Sequence, residues 1–406
     1  MAKKETGKVM DKGIIVPLAT AELKSLCDKV SKGVKNNKVM DITSLLLITV
    51  KSNVLTLTST DGTTNVEVKQ EKEKVNCPDF EILVKADSFI KLVSKTTADK
   101  IVLTITPATD EGENANLQVK GNGTYNFETV TLPEGDQFPS FNFDCKEPTK
   151  VKRAILNKAI HNNKPATSND STTQLVLTGI YFSDKVISSD SEKAAATDAN
   201  VFKRDVLLRP EAVDLLSILT GDELSVSFNE DRLIITDGNN TIYTAEMQNK
   251  EDYPLDVIRS FIYDGDFPNT CKVNRDALLG CLDRLSVFTD VYSSNGVELT
   301  FDKGSVTVTN AKSKNATEEI DYELMDKDKE CKPFSCSIEA DMLKTQIQIT
   351  SDVVALSYGN DTALQIRSTT PIKSKPDKTT GKQDVIGYTV DDDVTLLVAF
   401  LEEEQA

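Results

Sequence analysis

The chain has little of the chemistry that most enzymes need. It contains one histidine, His161, and no tryptophan. A Ser-His-Asp or Cys-His catalytic pair would have to use that histidine, which lies in a lysine-rich segment without a nucleophile motif. The sequence also lacks a Gly-x-x-x-x-Gly-Lys-Ser/Thr phosphate loop and a strand-linked Gly-x-Gly-x-x-Gly turn. We therefore expect no enzyme and no bound cofactor.

The sequence gives no sign of a disulfide framework, a metal site or a membrane span. The seven cysteines form no Cys-x-x-Cys pair, which is typical of a reduced cytoplasmic protein. Cys331 and Cys336 lie closest together but have no histidine near them. The acidic runs at 391–393 and 402–404 are typical of solvated turns and tails. We therefore predict no metal site. No segment reaches the roughly 18 apolar residues of a membrane span, and the charged N-terminus lacks the apolar core of a secretory signal.

What the chain does have is acidic charge, with basic residues concentrated in a few predicted helices. The 64 acidic and 47 basic residues give a net charge of -17, so nucleic acid could be met only by a local basic patch. Lysine tolerates many geometries and suits sequence-independent contact with phosphates. The alternative interpretation is a set of solvated helix faces. The residues predicted to face phosphate are Lys24, Lys29, Lys32, Lys35, Lys91, Lys95, Lys150, Lys152, Arg153, Lys158, Arg275 and Arg284.

The hydrophobic pattern repeats three times. Hairpins begin near residues 46, 177 and 297, and second helices begin near 86, 210 and 339. A period this long is that of whole domains, not of a short solenoid repeat. We predict an α+β protein of three sheet-rich domains, each with about eight strands and two helices on one face. The predicted limits are a flexible tail at 1–13 and domains at 14–139, 140–265 and 266–406. Thr20 is a candidate N-cap of the first helix, a connector is predicted to begin at Tyr253-Pro254, and residues 371–385, rich in Lys, Thr, Gly and Pro, are predicted to form an exposed loop.

Four motifs carry a family resemblance that covers roughly residues 14–401. They are Leu177-Thr178-Gly179-Ile180, Ala196-Thr197-Asp198, Tyr253-Pro254 and the segment VNRDALLGCLDRLSVF at 273–288. Their order and spacing resemble the bacterial-type DNA sliding clamp, the DNA polymerase III beta subunit. The family pattern A-T-D-G-H-R-L reads ATDANVF here. This divergence predicts a distant member, such as one encoded by a phage.

The resemblance implies a ring-shaped homodimer that encircles duplex DNA without sequence preference and tethers a DNA polymerase. Its other expected partner is a clamp loader, and no membrane contact is expected. The family's partner-peptide pocket lies between its second and third domains. The positions here that match it are Leu177, Thr197, Ala199, Val201, Phe202, Pro254, Arg259, Leu397 and Val398. An ordinary core role is the alternative for the apolar ones.

Helix dimensions support the dimer. Helices packed about 10 Å apart place six axes on a circle roughly 19 Å across, whereas twelve axes give about 38 Å and a bore of roughly 28 Å. Only the larger bore admits a duplex about 20 Å wide. Pairing of edge strands across two chains would close such a ring, with candidates near Leu103 and Ile105 and at 305–308. The competing hypotheses are a repetitive β-rich structural or virion protein and, with little support, a hydrolase that uses an acidic cluster.

Overall fold

The structure is a computed structural model of the chain. The residues that it describes are 13–35, 41–70, 75–107, 115–133, 137–139, 147–172, 174–288, 296–311, 314–326, 333–375 and 383–401. All of the predicted tail except Gly13, together with Cys331 and the acidic run at 402–404, lies outside the described residues.

One order of elements occurs three times: a strand, a helix, four strands, a helix and three strands. The first copy is β1 (Ile14–Ala19), α1 (Thr20–Ser31), β2 (Leu45–Lys51), β3 (Val54–Thr60), β4 (Asn65–Lys69), β5 (Phe80–Lys85), α2 (Ala86–Lys95), β6 (Lys100–Thr106), β7 (Asn116–Lys120) and β8 (Thr124–Glu128). The second is β9 (Thr149–Lys152), α3 (Arg153–Asn163), β10 (Ile180–Phe182), β11 (Val186–Ser189), β12 (Lys193–Thr197), β13 (Val206–Leu208), α4 (Pro210–Leu215), β14 (Glu223–Asn229), β15 (Arg232–Thr236) and β16 (Asn240–Ala245), followed by an additional α5 (Leu255–Tyr263).

The third copy contains one additional strand, β24. It runs through β17 (Asn269–Asn274), α6 (Arg275–Ser286), β18 (Gly296–Asp302), β19 (Ser305–Asn310), β20 (Thr317–Leu324), β21 (Phe334–Glu339), α7 (Ala340–Ile347), β22 (Val353–Tyr358), β23 (Ala363–Lys373), β24 (Val385–Val390) and β25 (Val394–Ala399). The predicted threefold order is therefore confirmed, whereas the predicted domain limits stay a prediction. None of the helices in the described ranges is long and apolar enough to cross a membrane.

By its internal contacts the chain forms two compact units, and the division cuts through the second copy. The first unit comprises residues 1–153 and 211–246, and the second comprises 154–210 and 247–406. In the first unit, one sheet has the order β1-β6-β7-β8 and another has the order β5-β2-β3-β4-β16-β15-β14-β9. Helices α1 and α2 pack against each other, with Leu23, Leu26 and Phe89 buried.

The second unit is organised by one large sheet. Its order is β13-β10-β11-β12-β25-β23-β22-β17-β20-β19-β18-β21, and β24 lies off this path and pairs with β23. One apolar cluster joins α6 and α7 to this sheet and includes a stacked pair, Phe301 and Tyr358, whose ring centroids are 4.1 Å apart. A second, smaller cluster lies under α5 and includes Leu177, Tyr253 and Leu397.

Local sequence signals explain some of the element ends. Asn274 caps α6 by accepting a hydrogen bond from the Ala277 N–H at 2.8 Å, and Pro210 begins α4 as predicted. Both residues of the turn between β2 and β3, Ser52 and Asn53, have positive φ, which matches the twist of a two-residue hairpin. Thr20 does not cap α1; it is the first helical residue, and Ala19 holds the cap position.

Several other sequence predictions are corrected. Residues 175–178 form a short 3-10 turn instead of a strand. Residues 255–263, interpreted as a connector, form α5. The segment 371–385, interpreted as a loop, begins inside β23 and ends at the first residue of β24. Each error concerns a short apolar or turn-rich segment, for which tertiary packing outweighs local propensity.

Asp237 anchors the turn between β15 and β16 to the loop after α4. Its carboxylate accepts hydrogen bonds from the backbone N–H groups of Thr220 at 2.7 Å and Gly221 at 3.2 Å. It also accepts from the backbone N–H of Asn240 at 2.7 Å and from its side-chain amide at 2.8 Å. Burial raises the pKa of this carboxyl, but the hydrogen bonds outweigh burial and lower the pKa to about 2.

We expect Asp237→Asn to lower the free energy of unfolding by about 1–2 kcal/mol, because charge-assisted hydrogen bonds to two loops are weakened. An unfolded aspartate has a pKa of about 3.9. The stabilisation is therefore complete above that value and is lost as the pH falls toward 2. Urea titrations at neutral and acidic pH measure both effects. Asp231→Asn, on an exposed turn residue whose side chain has no hydrogen bond within the described ranges, is the control. An equal loss of unfolding free energy in both variants would contradict a stabilising role for the Asp237 carboxylate.

Candidate partner-binding pocket and DNA-facing side chains

An apolar pocket of about 550 Å³ lies entirely within the second unit. It is formed by the 3-10 turn, the β11–β12 turn, Pro254 with helix α5, the β22–β23 turn, and the end of β25 with the residues that follow it. Its lining residues include Leu177, Pro254, Val257, Ile258, Phe261, Phe400 and Leu401. The pocket floor is the small cluster under α5, in which Leu397 is fully buried. The arrangement provides an apolar surface for a short peptide or an apolar ligand.

Two residues of the sequence motifs explain the close packing beneath this pocket. A Cβ at Gly179 would lie 2.5 Å from the Met247 sulfur and 3.0 Å from a Leu207 methyl carbon, so only glycine permits this approach. Tyr253 is buried and its ring centroid lies 5.0 Å from that of Tyr181. The motif residues therefore support the turn and helix that form the pocket wall.

The structure brings only some of the predicted pocket residues together. Leu177 and Pro254 line the pocket, and Leu397 lies in the cluster beneath it. Val398 points into the other cluster, with α6 and α7. Ala199 is half-buried and is not a lining residue.

The other predicted pocket residues have structural contacts of their own. Thr197 is buried and its hydroxyl accepts a hydrogen bond from the Asn163 amide at 2.9 Å. Val201 is buried, and Phe202 packs on Phe182 with ring centroids 4.6 Å apart. These contacts explain the residues as supports of the fold, and a direct role in binding stays a prediction.

Arg259 is turned toward the β10–β11 turn. Its guanidinium donates to the Ser183 hydroxyl at 3.0 Å and to the Asp184 carboxylate. Partial burial acts to raise the pKa of Asp184, but the Ser183 hydroxyl and the Arg259 guanidinium outweigh it and lower that pKa. Arg259 therefore fixes α5 against this turn, whereas its predicted contact with a peptide stays a prediction.

Sequence reasoning missed the helix that contributes most to the pocket. Val257 and Phe261 on α5 line it, and Val257 is 70% exposed. The signal was present, because Leu255, Ile258 and Ile262 recur at helical spacing. The preceding Tyr253-Pro254 pair led the segment to be interpreted as a connector.

The predicted DNA-facing cations lie on helices less uniformly than expected. Lys24 and Lys29 are on α1, Lys91 and Lys95 on α2, and Lys158 on α3. Lys32 and Lys35 follow the end of α1. Lys150 and Lys152 belong to strand β9, so their predicted helical placement is wrong. Arg153 begins α3, and Arg275 and Arg284 are on α6.

Many of these cations have acidic partners. Lys91 contacts Asp87 at 2.8 Å, Lys150 contacts Glu223 at 3.3 Å and Lys158 contacts Asp393 at 3.4 Å. Exposed pairs of this kind contribute about 0–1 kcal/mol, so a phosphate could replace the carboxylate. Lys24, Lys35, Lys95 and Lys152 have no ion pair with any residue that the structure describes.

The three predicted arginines are held more firmly. Arg284 makes two hydrogen bonds to the Glu318 carboxylate, at 2.8 and 2.6 Å, which lower the pKa of Glu318. Arg153 donates to the Gly221 carbonyl at 2.8 Å. Arg275 donates to the Thr350 carbonyl at 2.9 Å and contacts Asp352 at 3.2 Å. These contacts show that the three arginines stabilise the fold, and their predicted contact with DNA stays a prediction.

Comparison with known proteins identifies the fold. Residues 17–142 match the family model described as DNA polymerase III beta subunit, N-terminal domain. The solved beta sliding clamp of Caulobacter crescentus is similar to this chain with a TM-score of 0.77 and 16% identity, over 97% of this chain and 100% of that chain. A Pseudomonas aeruginosa sliding clamp bound to griselimycin gives 0.77 and 15%, over 96% and 100%.

The beta subunit of Thermotoga maritima gives a TM-score of 0.75 at 15% identity, over 96% of this chain and 100% of that chain. Among curated proteins, none matches this chain in sequence. The chain therefore has the sliding-clamp fold, and the resemblance predicted from its motifs is confirmed. The low identity fits the predicted divergence, whereas a phage origin stays a prediction.

We expect Val257→Asp to weaken the binding of an apolar probe in the pocket by about tenfold, because an exposed aliphatic contact worth about 1.5 kcal/mol is replaced by a charge. Nile red fluorescence titration measures the affinity. The thermal midpoint should stay unchanged because the side chain is exposed. Ile15→Asp, at another exposed aliphatic position, 59% exposed and on β1, is the control. Unchanged affinity in Val257→Asp would show that the probe binds elsewhere.

Proposed function

We propose that this protein is a DNA polymerase processivity factor, a homodimeric ring that encircles duplex DNA, slides on it and tethers the replicative polymerase. The observation that carries the proposal is the pairing of equivalent strands between successive copies of the repeat. Strand β4 of the first copy pairs with β16 of the second, and β12 of the second pairs with β25 of the third. Each junction joins a copy's fourth strand to the last strand of the next copy.

The same rule leaves two strands without their equivalent partner. These are β20, the fourth strand of the third copy, and β8, the last strand of the first. Within the described ranges β8 pairs only with β7, and residues 317–321 of β20 pair only with β19. Each open edge is five residues long. A second copy of the chain would pair β8 with β20 twice and would cover both open edges.

This pairing replaces the interface suggested by the sequence. Leu103 and Ile105 lie on β6, between β1 and β7, and residues 305–308 lie on β19, between β18 and β20. Both strands are interior, so neither can pair with another chain. The alternation of hydrophobic residues located these strands correctly but did not indicate which of them are edges.

A ring of this kind holds DNA by topology and needs only weak contact with it. The lysines of these helices, half-buried on α1 and exposed on α2, suit such contact, because single cationic side chains bind phosphates without reading bases. No bond-making chemistry is required, and ring opening would be the task of a clamp loader that uses ATP. For this role the protein would be cytoplasmic and bound at replicating DNA. The apolar pocket would take a short apolar segment of the polymerase or the loader.

Blocking the open edge of β8 should dissociate the dimer. The Thr129 N–H donates to the Ala115 carbonyl at 3.1 Å, so the alternation of an antiparallel pair turns the Asn126 N–H away from β7. Asn126→Pro removes that outward N–H and adds a ring at the edge. We expect the dimer to weaken by about tenfold or more. Light scattering across a dilution series would measure this, against a monomer mass of 44.6 kDa.

Asn126→Ala is the matched control. It loses the same side-chain hydrogen bond, from the Gln118 amide at 3.1 Å, but keeps the backbone N–H. This variant should stay dimeric. A dimer of unchanged strength in Asn126→Pro would refute pairing through β8, and a wild-type protein that is monomeric at micromolar concentration would refute the ring.

The processivity role can be measured on primed circular DNA with a polymerase, a loader and ATP. The wild-type protein should lengthen the products of a single binding event. Val257→Asp should remove that stimulation while the dimer remains intact. Charged substitutions at Phe202 or Val398 are less suitable, because both side chains are buried and the fold itself would suffer. Full stimulation by Val257→Asp would argue against this pocket as the polymerase site.

A further inference from the structure

The third copy carries a two-stranded ribbon that is not found in the described residues of the other two copies. Strand β23 has 11 residues. Its first part lies in the large sheet between β22 and β25, whereas residues 369–373 pair with β24 and with no other strand that the structure describes. We call residues 369–375 and 384–390 the β-ribbon. A two-stranded ribbon alone is marginally stable in water, so its base must be fixed.

The base of the β-ribbon is held by side chains of the sheet. The Thr369 hydroxyl donates to the Val353 carbonyl at 2.6 Å, and its N–H donates to the Ser351 hydroxyl at 2.8 Å. Arg367 contacts Asp392 at 2.8 Å. On β24, the Tyr388 ring lies 5.1 Å from the Lys272 ammonium. The ribbon is thus attached to the body of the third copy at a defined place.

Beyond this base the β-ribbon exposes an unusual combination of side chains. Ile372, Val385 and Ile386 are 42%, 50% and 67% exposed. Lys373 and Lys375 are also exposed and have no ion pair with any residue that the structure describes. The charged residues of the β-ribbon are Lys373, Lys375 and Asp384, in a chain whose net charge is -17.

We propose that the β-ribbon is a second DNA-binding element, which contacts the sugar-phosphate backbone of the duplex held by the ring. The inference rests on the proposed clamp function. Lys373 and Lys375 would contact phosphates, and the exposed aliphatic side chains would lie against the sugars of a groove. A two-stranded ribbon fits a DNA groove, and apolar side chains are a common means of contact there.

The lysine charges favour duplex DNA over the β-ribbon of a second copy of the chain as the binding partner. Antiparallel pairing of two β-ribbons about a two-fold axis near residue 374 would bring Lys373 and Lys375 of one copy against the same residues of the other. Such like-charge pairs are destabilising. Duplex DNA offers the complementary charge at high density, about one phosphate for each 1.7 Å of helix axis.

The β-ribbon and the apolar pocket lie at opposite ends of the same strand. Thr362 lines the pocket, and β23 then runs to Lys373, a path of about 35 Å at 3.3 Å per residue. A polymerase segment bound in the pocket would therefore leave the β-ribbon uncovered. The ribbon would contact duplex at a distance from the partner protein.

The first experiment measures binding of the full dimeric protein to a short linear DNA duplex over a range of salt concentrations. Lys373→Gln with Lys375→Gln should weaken binding by about tenfold at 0.1 M salt and reduce the slope of log K against log salt by about 2. Lys51→Gln with Lys303→Gln removes the same charge from exposed positions on β2 and in the β18–β19 turn and should bind like wild type. Equal affinity and slope in the two double variants would overturn the proposal.

The second experiment identifies the occupant directly. A photo-crosslinking residue at position 386 should crosslink to DNA when the ring is loaded on nicked circular DNA. A crosslink to the polymerase, to another copy of the chain or to no macromolecule would overturn the assignment. The proposed function fails separately: a ring that leaves circular DNA as fast as linear DNA contradicts the clamp, whereas a retained ring with no DNA crosslink contradicts only the β-ribbon.

Discussion

Backbone pairing between successive copies of the repeat is the constraint on which the rest of this structure depends. Strands β4 and β16 form a junction within the first unit, and β12 and β25 form one within the second. Because main-chain hydrogen bonds are independent of side-chain identity, the junctions can persist while the sequence changes. This explains how the fold is kept at about 16% identity to a solved clamp. It also explains why the two compact units divide the second copy: its strands β14, β15 and β16 share a sheet with the first copy, and β10 to β13 share a sheet with the third.

The sequence predicts a large part of this fold because the repeat is long and strongly periodic. The second helices begin at Ala86, Pro210 and Ala340, close to the predicted positions. Strand order was not predictable, because alternation in β6 and β19 reports a buried face and not the neighbours on either side. Segment 175–178 and helix α5 were missed because a short apolar run fits strand, turn and helix equally well.

Less of the candidate site could be predicted. Leu177 and Pro254, which the motifs indicate, line the apolar pocket, whereas the side chains of Phe202 and Val398 are buried elsewhere. A motif identifies the position of a residue along the chain. Whether that residue lines the pocket depends on which side of its strand or turn faces the opening. Lys150 and Arg284 show the same limit for charge: their neighbours Glu223 and Glu318 are distant in sequence and become partners only in the fold.

The residues after β25 have a practical consequence for handling the protein. Phe400 and Leu401 form part of the pocket wall, and the Leu401 N–H is tied to the Ser337 carbonyl at 2.8 Å. A truncation that removes Phe400 and Leu401 would therefore take away part of this wall, and such a variant is unsuitable for binding measurements.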